Sequence, residues 1–433
     1  MTKCTRVWHV GPLLLLLAGG ILAACKPSPP AEPERDQPAE LLLVGDPFAF
    51  VLERMQPTLR KELNTPVNFD IERYSDTRRI ILNNSRDHHS FYNLVSFDSI
   101  WLPRLAQEQA LSPITQEDLD RIGVNLETFY PASLSIARWD GVLYGLPIQP
   151  HFELLLYRED WLTEKGWAPP KNFDELLSQA RAFHDPANER YGICWNGLRG
   201  QALGQTISHL YAAFGQPIVG ADGKVHIDTE TGVQVANYLK ELVKVSPPDI
   251  LNMAWDQRIQ RFQSGQAAFT YGWGARSMAL EYDPVSQVKG KVGYSVPPGV
   301  DDTLRLAPFG QWNLGIPSNL SPSQRDRSLE LLRRLFEQRT YDYFLESGLV
   351  NPYQIRPESS QVESDYLTTS EMIFEENLIS KDARPKLERW STLADILGIR
   401  FHDILLGRLS TEEGLSLAQS EVDEQLILPN SSE

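Results

Sequence analysis

Only three cysteines occur in 433 residues. Cys4 and Cys25 fall near the N-terminus, so Cys194 stands alone in the body of the chain. That excludes an intramolecular disulfide framework there, and an ordinary apolar core must hold the fold. Cations are also scarce: 41 Lys and Arg face 57 Asp and Glu, a formal charge of −16. Nucleic acid is a poor partner for such a chain, because phosphate recognition needs clustered Lys and Arg. A few local Arg can still serve a small ligand. Signatures of catalysis are missing too: there is no Walker-type phosphate loop, HExxH, GxSxG or CxxC. His88 and His89 are adjacent, which on a strand sends them to opposite faces and makes a poor metal site. Cys194, beside Trp195, reads as a small buried hydrophobe rather than a nucleophile. Carboxylates are abundant enough for a glycoside hydrolase, but no pair stands out. No catalytic residue, metal or cofactor is therefore expected.

Long apolar runs are confined to the first 25 residues. Lys3 and Arg6 precede GPLLLLLAGGILAA, which is shorter than the roughly 20 residues of a spanning helix. A basic start, a short apolar run and small residues form a secretory signal. The ending Leu22-Ala23-Ala24-Cys25 resembles the bacterial lipobox, in which the cysteine is lipid-modified and becomes the mature N-terminus. The alternative is an ordinary signal whose cleavage region includes a cysteine. On the lipobox reading residues 1–24 are removed and the lipid on Cys25 is the sole membrane anchor. The segment from 25 to 40, KPSPPAEPERDQPAE included, is Pro-rich and polar and reads as a tether.

Beyond the tether the pattern alternates strand and helix, as in an α/β unit with a largely parallel sheet. Leu41 to Val44 is an apolar run ending at the turn Gly45-Asp46-Pro47. A helix is expected from Phe50 to Leu63, bent near Pro57, then a half-buried strand carrying Val67, Phe69 and Ile71. Asn172 with Glu175, Ser321 with Gln324, and Ser410 with Glu413 have the spacing of capping boxes at helix starts. The remainder is long enough for two domains.

What the chain has in quantity is tryptophan in polar surroundings. Trp101, Trp139, Trp195, Trp255, Trp273 and Trp312 lie in or near segments rich in Gly, Asn, Gln and Arg. Trp273 and Trp312 follow glycines at apparent strand ends, where ligand loops gather in α/β sheets. Sugars offer C–H faces that stack on aromatic rings and hydroxyl rims that need Asn, Gln, Asp and Arg. Each Trp taken alone is as compatible with a core role. The set favours a binding cleft.

The stretch DGVLYGLPIQPHFELLLYRED, 140–160, holds two apolar strand-like pieces around Gln149, Pro150 and His151. These three are either the polar turn of a hairpin or a polar interruption with another purpose. Asp140, Gly141, Tyr144, Gly145, Pro147, Tyr157, Gly166, Pro170 and Glu175 fit a recurring pattern. So do RFQSGQAAFTYGWGA, KVGYSVPPG, SNLSPSQRDRSLELLRRLF and RLSTEEGLSLAQSEVDEQL, in that order. Together they resemble the family 1 extracellular solute-binding proteins of ABC importers, the maltose-binding-protein-like group. The resemblance runs from about Leu41 to the end. PPDILNMAWDQRIQRFQSGQAAF is similar to members that take sugars or sugar alcohols. Three stretches depart from the pattern: Tyr92-Asn93-Leu94-Val95, Gly45-Asp46-Pro47-Phe48, and the short polar region from Asn83 to Ser90.

The resemblance implies an α/β, two-lobed periplasmic-binding-protein fold of class II type, with a cleft between lobes joined by crossing strands. Residues 41–148 and 299–348 would form one lobe, and 149–298 and 349–428 the other. Gln149-Pro150-His151 would be the first crossing, Tyr294 to Pro298 the second and Gly348 to Pro352 the third. A monomer is expected, taking a carbohydrate ligand and engaging permease subunits. Trp195, Trp273 and Trp312 are expected to stack on ligand. Arg199, Arg276, Asp98 and Asp256 are expected to bond hydroxyls, unless they are surface ion pairs. Phe48, Gln149, His151, Trp255 and Gln311 complete the expected site. Two other functions fit the same chain: a sensory binding protein that engages a receptor, and a lipid-anchored glycoside hydrolase.

Overall fold

The computed structural model describes residues 38–354 and 364–426. The signal segment, Cys25, most of the tether and residues 427–428 lie outside these. The tether ends sooner than residue 40, because strand β1 (Ala39–Val44) already opens at Ala39. β1 runs parallel between β2 (Val67–Glu72) and β3 (Leu94–Asp98), so its Leu41-Leu42-Leu43-Val44 run is buried on both faces. The first helix spans Pro47–Leu63 and starts earlier than expected. Pro47 occupies its first turn, where the missing N–H costs no bond, and the helix continues through Pro57. Ser321 and Ser410 cap their helices in reciprocal boxes with Gln324 and Glu413. Asn172 accepts from the Glu175 N–H.

After a two-stranded ribbon, β4 (Arg138–Trp139) and β5 (Val142–Leu143), comes β6 (Leu146–Arg158), 13 residues long. The remaining strands are β7 (Tyr191–Cys194), β8 (Ala267–Trp273), β9 (Val292–Ser295), β10 (Ala307–Gly315) and β11 (Ile379–Ser380). The sheet order is β2-β1-β3-β10-β6-β8-β7, with β9 on β6 and β11 on β10. Two apolar cores flank this arrangement. The smaller gathers β1, β3, Leu146, Ile148, Trp312 and Leu314. The larger gathers Phe152, Leu154 to Leu156, Phe309 and most of the helices after residue 160.

β6 is one unbroken strand, which corrects the hairpin alternative. Its first half pairs only with β10; its second half is paired by β8 on one side and β9 on the other. Pro147 and Pro150 both fall in the half with a single partner, where a missing N–H breaks no ladder. The polar triplet is thus the segment of β6 that passes from one core to the other. The return comes later than Tyr294 to Pro298. β9 is paired with Leu155 to Arg158, and the Val300 N–H donates to the Ala213 carbonyl at 3.0 Å, so this stretch stays with the larger core. β10 makes the return, with Phe309 in the larger core and Trp312 in the smaller. The lobe boundary expected at 299 therefore moves into β10. Leu349 belongs to the smaller core and Val350 to the larger.

Leu154 is fully buried where β6 enters the larger core. Leu154→Ala should cost about 2–5 kcal/mol of stability, read by urea unfolding of the domain beginning at residue 38.

Candidate functional site

A cavity of about 430 Å³ lies where the two cores meet. From the smaller lobe, Asp46 follows β1, Asp98 ends β3, and Tyr74 opens the helix Tyr74–Asn84. The larger lobe contributes Trp255, at the start of the helix Trp255–Gln263, and Trp273, at the end of β8. His151 and Trp312 come from the crossing strands. The walls thus draw on the carboxyl ends of β1, β3 and β8, where open α/β sheets place their ligands. Ile148 of β6 is an extra residue opposite the Trp312–Asn313 step of β10, a bulge that shifts the register of the two strands beside the cavity.

Aromatic rings give the cavity its faces. Trp273 stands edge-on to His151, with ring centroids 4.9 Å apart, and the Arg384 guanidinium lies 5.1 Å from its ring centre. Trp312 donates its indole N–H to Asp46 Oδ2 at 2.6 Å and stacks on Phe48 at 5.7 Å. Tyr74 faces Trp255 across the cleft at 6.4 Å.

Charges around these rings are paired. Asp98 Oδ2 accepts from Arg384 Nη2 at 2.7 Å and from the Tyr74 hydroxyl at 3.0 Å. Burial alone would raise the Asp98 carboxyl; the Arg384 guanidinium offsets that and holds it below the usual carboxylate range. Asp46, 3.6 Å from Arg276 Nε, is pushed up by burial, which the arginine only partly counters. Arg276 also reaches Asp256 at 3.2 Å. Behind Trp273, Arg258 is 1% exposed and bonds Glu153 Oε1 at 2.5 Å, while His209 bonds the other oxygen. Against the upward push of burial, these two partners hold Glu153 at about 2. Burial drives His151 down to about 3, so its imidazole is neutral. Gly310 lets this cluster close: a Cβ there would lie 2.4 Å from His151 Nε2 and 2.5 Å from Arg384 Nη1.

Seven expected residues line the cavity: Asp98, His151, Trp255, Asp256, Trp273, Arg276 and Trp312. Five do not. Trp195 is fully buried in the larger core with its indole N–H on Ser246 Oγ, so it cannot stack on ligand. Arg199 is tied at 2.7 Å to Asp403, away from the cavity. Phe48 supports Trp312 from within the smaller core. Gln311 neighbours Trp312 on β10, which sends its amide to the opposite face, onto the Ser133 carbonyl and Asn313. Gln149 is closed over, its amide donating to the Pro150 carbonyl. The sequence reading missed Asp46, Tyr74, Arg258 and Arg384. Asp46 was accessible to the strand-end argument applied to Trp273. Arg258 and Arg384 had no signal, because their partners lie 105 and 286 positions away.

A model of bacterial extracellular solute-binding proteins matches residues 74–321, more than half of the chain. The chain belongs to this family. The match contains Tyr74, Asp98, His151, Trp255, Trp273 and Trp312; Asp46 and Arg384 lie outside it. An Escherichia coli (strain K12) protein named for a periplasmic-binding role in an ABC transporter is 31% identical over 122 residues, 28% of each chain. The solved ABC transporter solute-binding protein of Agrobacterium radiobacter K84, in complex with ribitol, superposes with a TM-score of 0.82 at 22% identity. That match covers 91% of this chain and 100% of the other. Maltose-bound MalE3 of T. maritima superposes at 0.77 with 22% identity, covering 89% and 99%. These likenesses establish the two-lobed periplasmic-binding-protein fold. Among the described residues, no helix of this family member is long and apolar enough to cross a membrane.

The buried His151 and Glu153 give the fold an acid limb. Between pH 6.5 and about 3 the unfolded chain holds a proton on His151 that the native state does not, so stability falls with pH there. Glu153 adds a second loss, beginning near its ordinary 4.5 and running down to about 2. His151→Gln should flatten the first window and spare the second, read as urea midpoints from neutral to acidic pH.

Proposed function

We propose that this protein is a lipid-anchored solute-binding protein of an ABC importer, capturing a carbohydrate by closure of its lobes. The observation that carries the reading is the cavity: Trp255 and Trp273 offer ring faces beside a rim of Asp, Arg and Tyr groups drawn from both lobes. Ring faces suit the C–H surfaces of a sugar or polyol, and the charged rim suits its hydroxyls. Family membership and the likeness to the ribitol and maltose complexes support the same class. Contacts that span the lobes support closure: Asp98 with Arg384, Asp46 with Arg276, and Arg78 with Ser391 at 2.6 Å. A ligand touching both walls favours the closed state by its differential affinity, and the importer's permease would recognise that state. Cys25 carries the lipid and the Pro-rich segment holds the lobes off the membrane.

A hydrolase would draw on two of Asp46, Asp98 and Asp256, all at the cavity. Asp98 is already committed to Arg384, Tyr74 and the Ile100 N–H, and two of the relatives named above carry binding-protein names.

A thermal-unfolding screen against sugars, oligosaccharides and polyols tests the reading. A ligand at about 100 times its Kd should add roughly 2.7 kcal/mol, with the ligand recovered unchanged. Loss of the ligand would support the hydrolase, and silence across the panel would sink the carbohydrate. Trp273→Ala should weaken the ligand found by tenfold or more while leaving a cooperative melt; undiminished affinity would remove Trp273 from the site. Permease genes beside this one would favour import over a sensory role.

A further inference from the structure

A second cavity, of about 240 Å³, adjoins the first. It too is walled by both lobes: Ser99, Ile100 and Ser135 from the smaller, Phe309, Asn377 and Ser380 from the larger. Hydroxyls, an amide and two lysines, Lys381 and Lys386, stand among apolar faces here. Arg384 lines both cavities. Its position is fixed from three sides. Nη2 is bonded to Asp98, the guanidinium lies over Trp273, and Nη1 lies only 2.5 Å from where a Cβ on residue 310 would be, an approach the glycine there permits. Its side chain is only 8% exposed, so it fills the space between the chambers instead of projecting into solvent.

We propose that Arg384, pinned by Asp98, is the partition that sets the length of ligand this protein accepts. With the arginine in place, the 430 Å³ chamber takes a compact ligand, one sugar ring or an open-chain polyol. Without it, the two chambers join along the lobe interface and a second or third ring can extend into the smaller one. The proposal rests on the carbohydrate reading above and adds a specificity-determining residue to it.

The test is calorimetric titration of the soluble domain with ribitol, mannitol, maltose and maltotriose. Three proteins are compared: wild type, Arg384→Ala, and the double variant Asp98→Asn with Arg384→Ala. The double variant is needed because removing the arginine alone strands a buried carboxylate and can unfold the protein. Thermal melts show which variants are folded. Wild type should bind a compact member at least tenfold more tightly than maltose or maltotriose. In the folded variants that preference should move at least tenfold toward the longer ligands. Wild type binding maltotriose as tightly as any compact member overturns the proposal, and so does an unmoved preference in a folded variant; either leaves the carbohydrate reading intact. No binding by any ligand to any of the three proteins overturns both.

Discussion

One strand carries the molecule. β6 runs 13 residues without a break, its first half in the core of one lobe and its second half in the core of the other. Every residue along it except Tyr157 is buried. Its middle cannot be apolar, because there the sheet passes through the cleft, with His151 on the cavity and Glu153 just behind it. Nor can the middle be fully paired, and the prolines fall on the half with one partner strand. The same geometry gives β10 its alternation: Gly310 makes room for His151 and Arg384, Gln311 turns away, and Trp312 faces the cavity.

Placing charge at such a site is costly unless each ion has a partner. The structure answers with pairs that have different duties. Glu153 with Arg258 and His209 is internal to the larger lobe and holds the floor beneath Trp273. Asp98 with Arg384, and Asp46 with Arg276, connect the two lobes. The second group reaches across the cleft, so a ligand held between the walls meets those pairs directly. The aromatic floor and the ion pairs between the lobes together wall the cleft.

Much of this was legible. The apolar run at Leu41 to Val44 and the capping residues at Asn172, Ser321 and Ser410 are local signals of burial and hydrogen bonding. The expectation of a tryptophan after a glycine at a strand end located Trp273, whereas Trp312, also at the cavity, lies inside β10 and not at its end. The same style of reading failed at Trp195. Its polar neighbours suggested a cleft, but it is the end of β7 that is buried there, and Ser246 satisfies the indole N–H. Arg199 and Arg276 looked alike in sequence; one pairs with Asp403 outside the cavity and the other spans the lobes.

Periodicity, turn chemistry and side-chain type, all local, were enough for the α/β alternation, the capped helices and the carriers of the aromatic faces. The family, the two lobes and the strand that crosses between them came from the ordered likeness of several segments to known solute-binding proteins. Which charges meet was settled in three dimensions. Arg258 finds Glu153 across 105 positions and Arg384 finds Asp98 across 286. A carboxylate and a guanidinium have no mutual signature in a chain until packing brings them together and removes the water between them. For the same reason the partition between the two chambers, a single arginine in an irregular segment, is invisible until the fold closes around it.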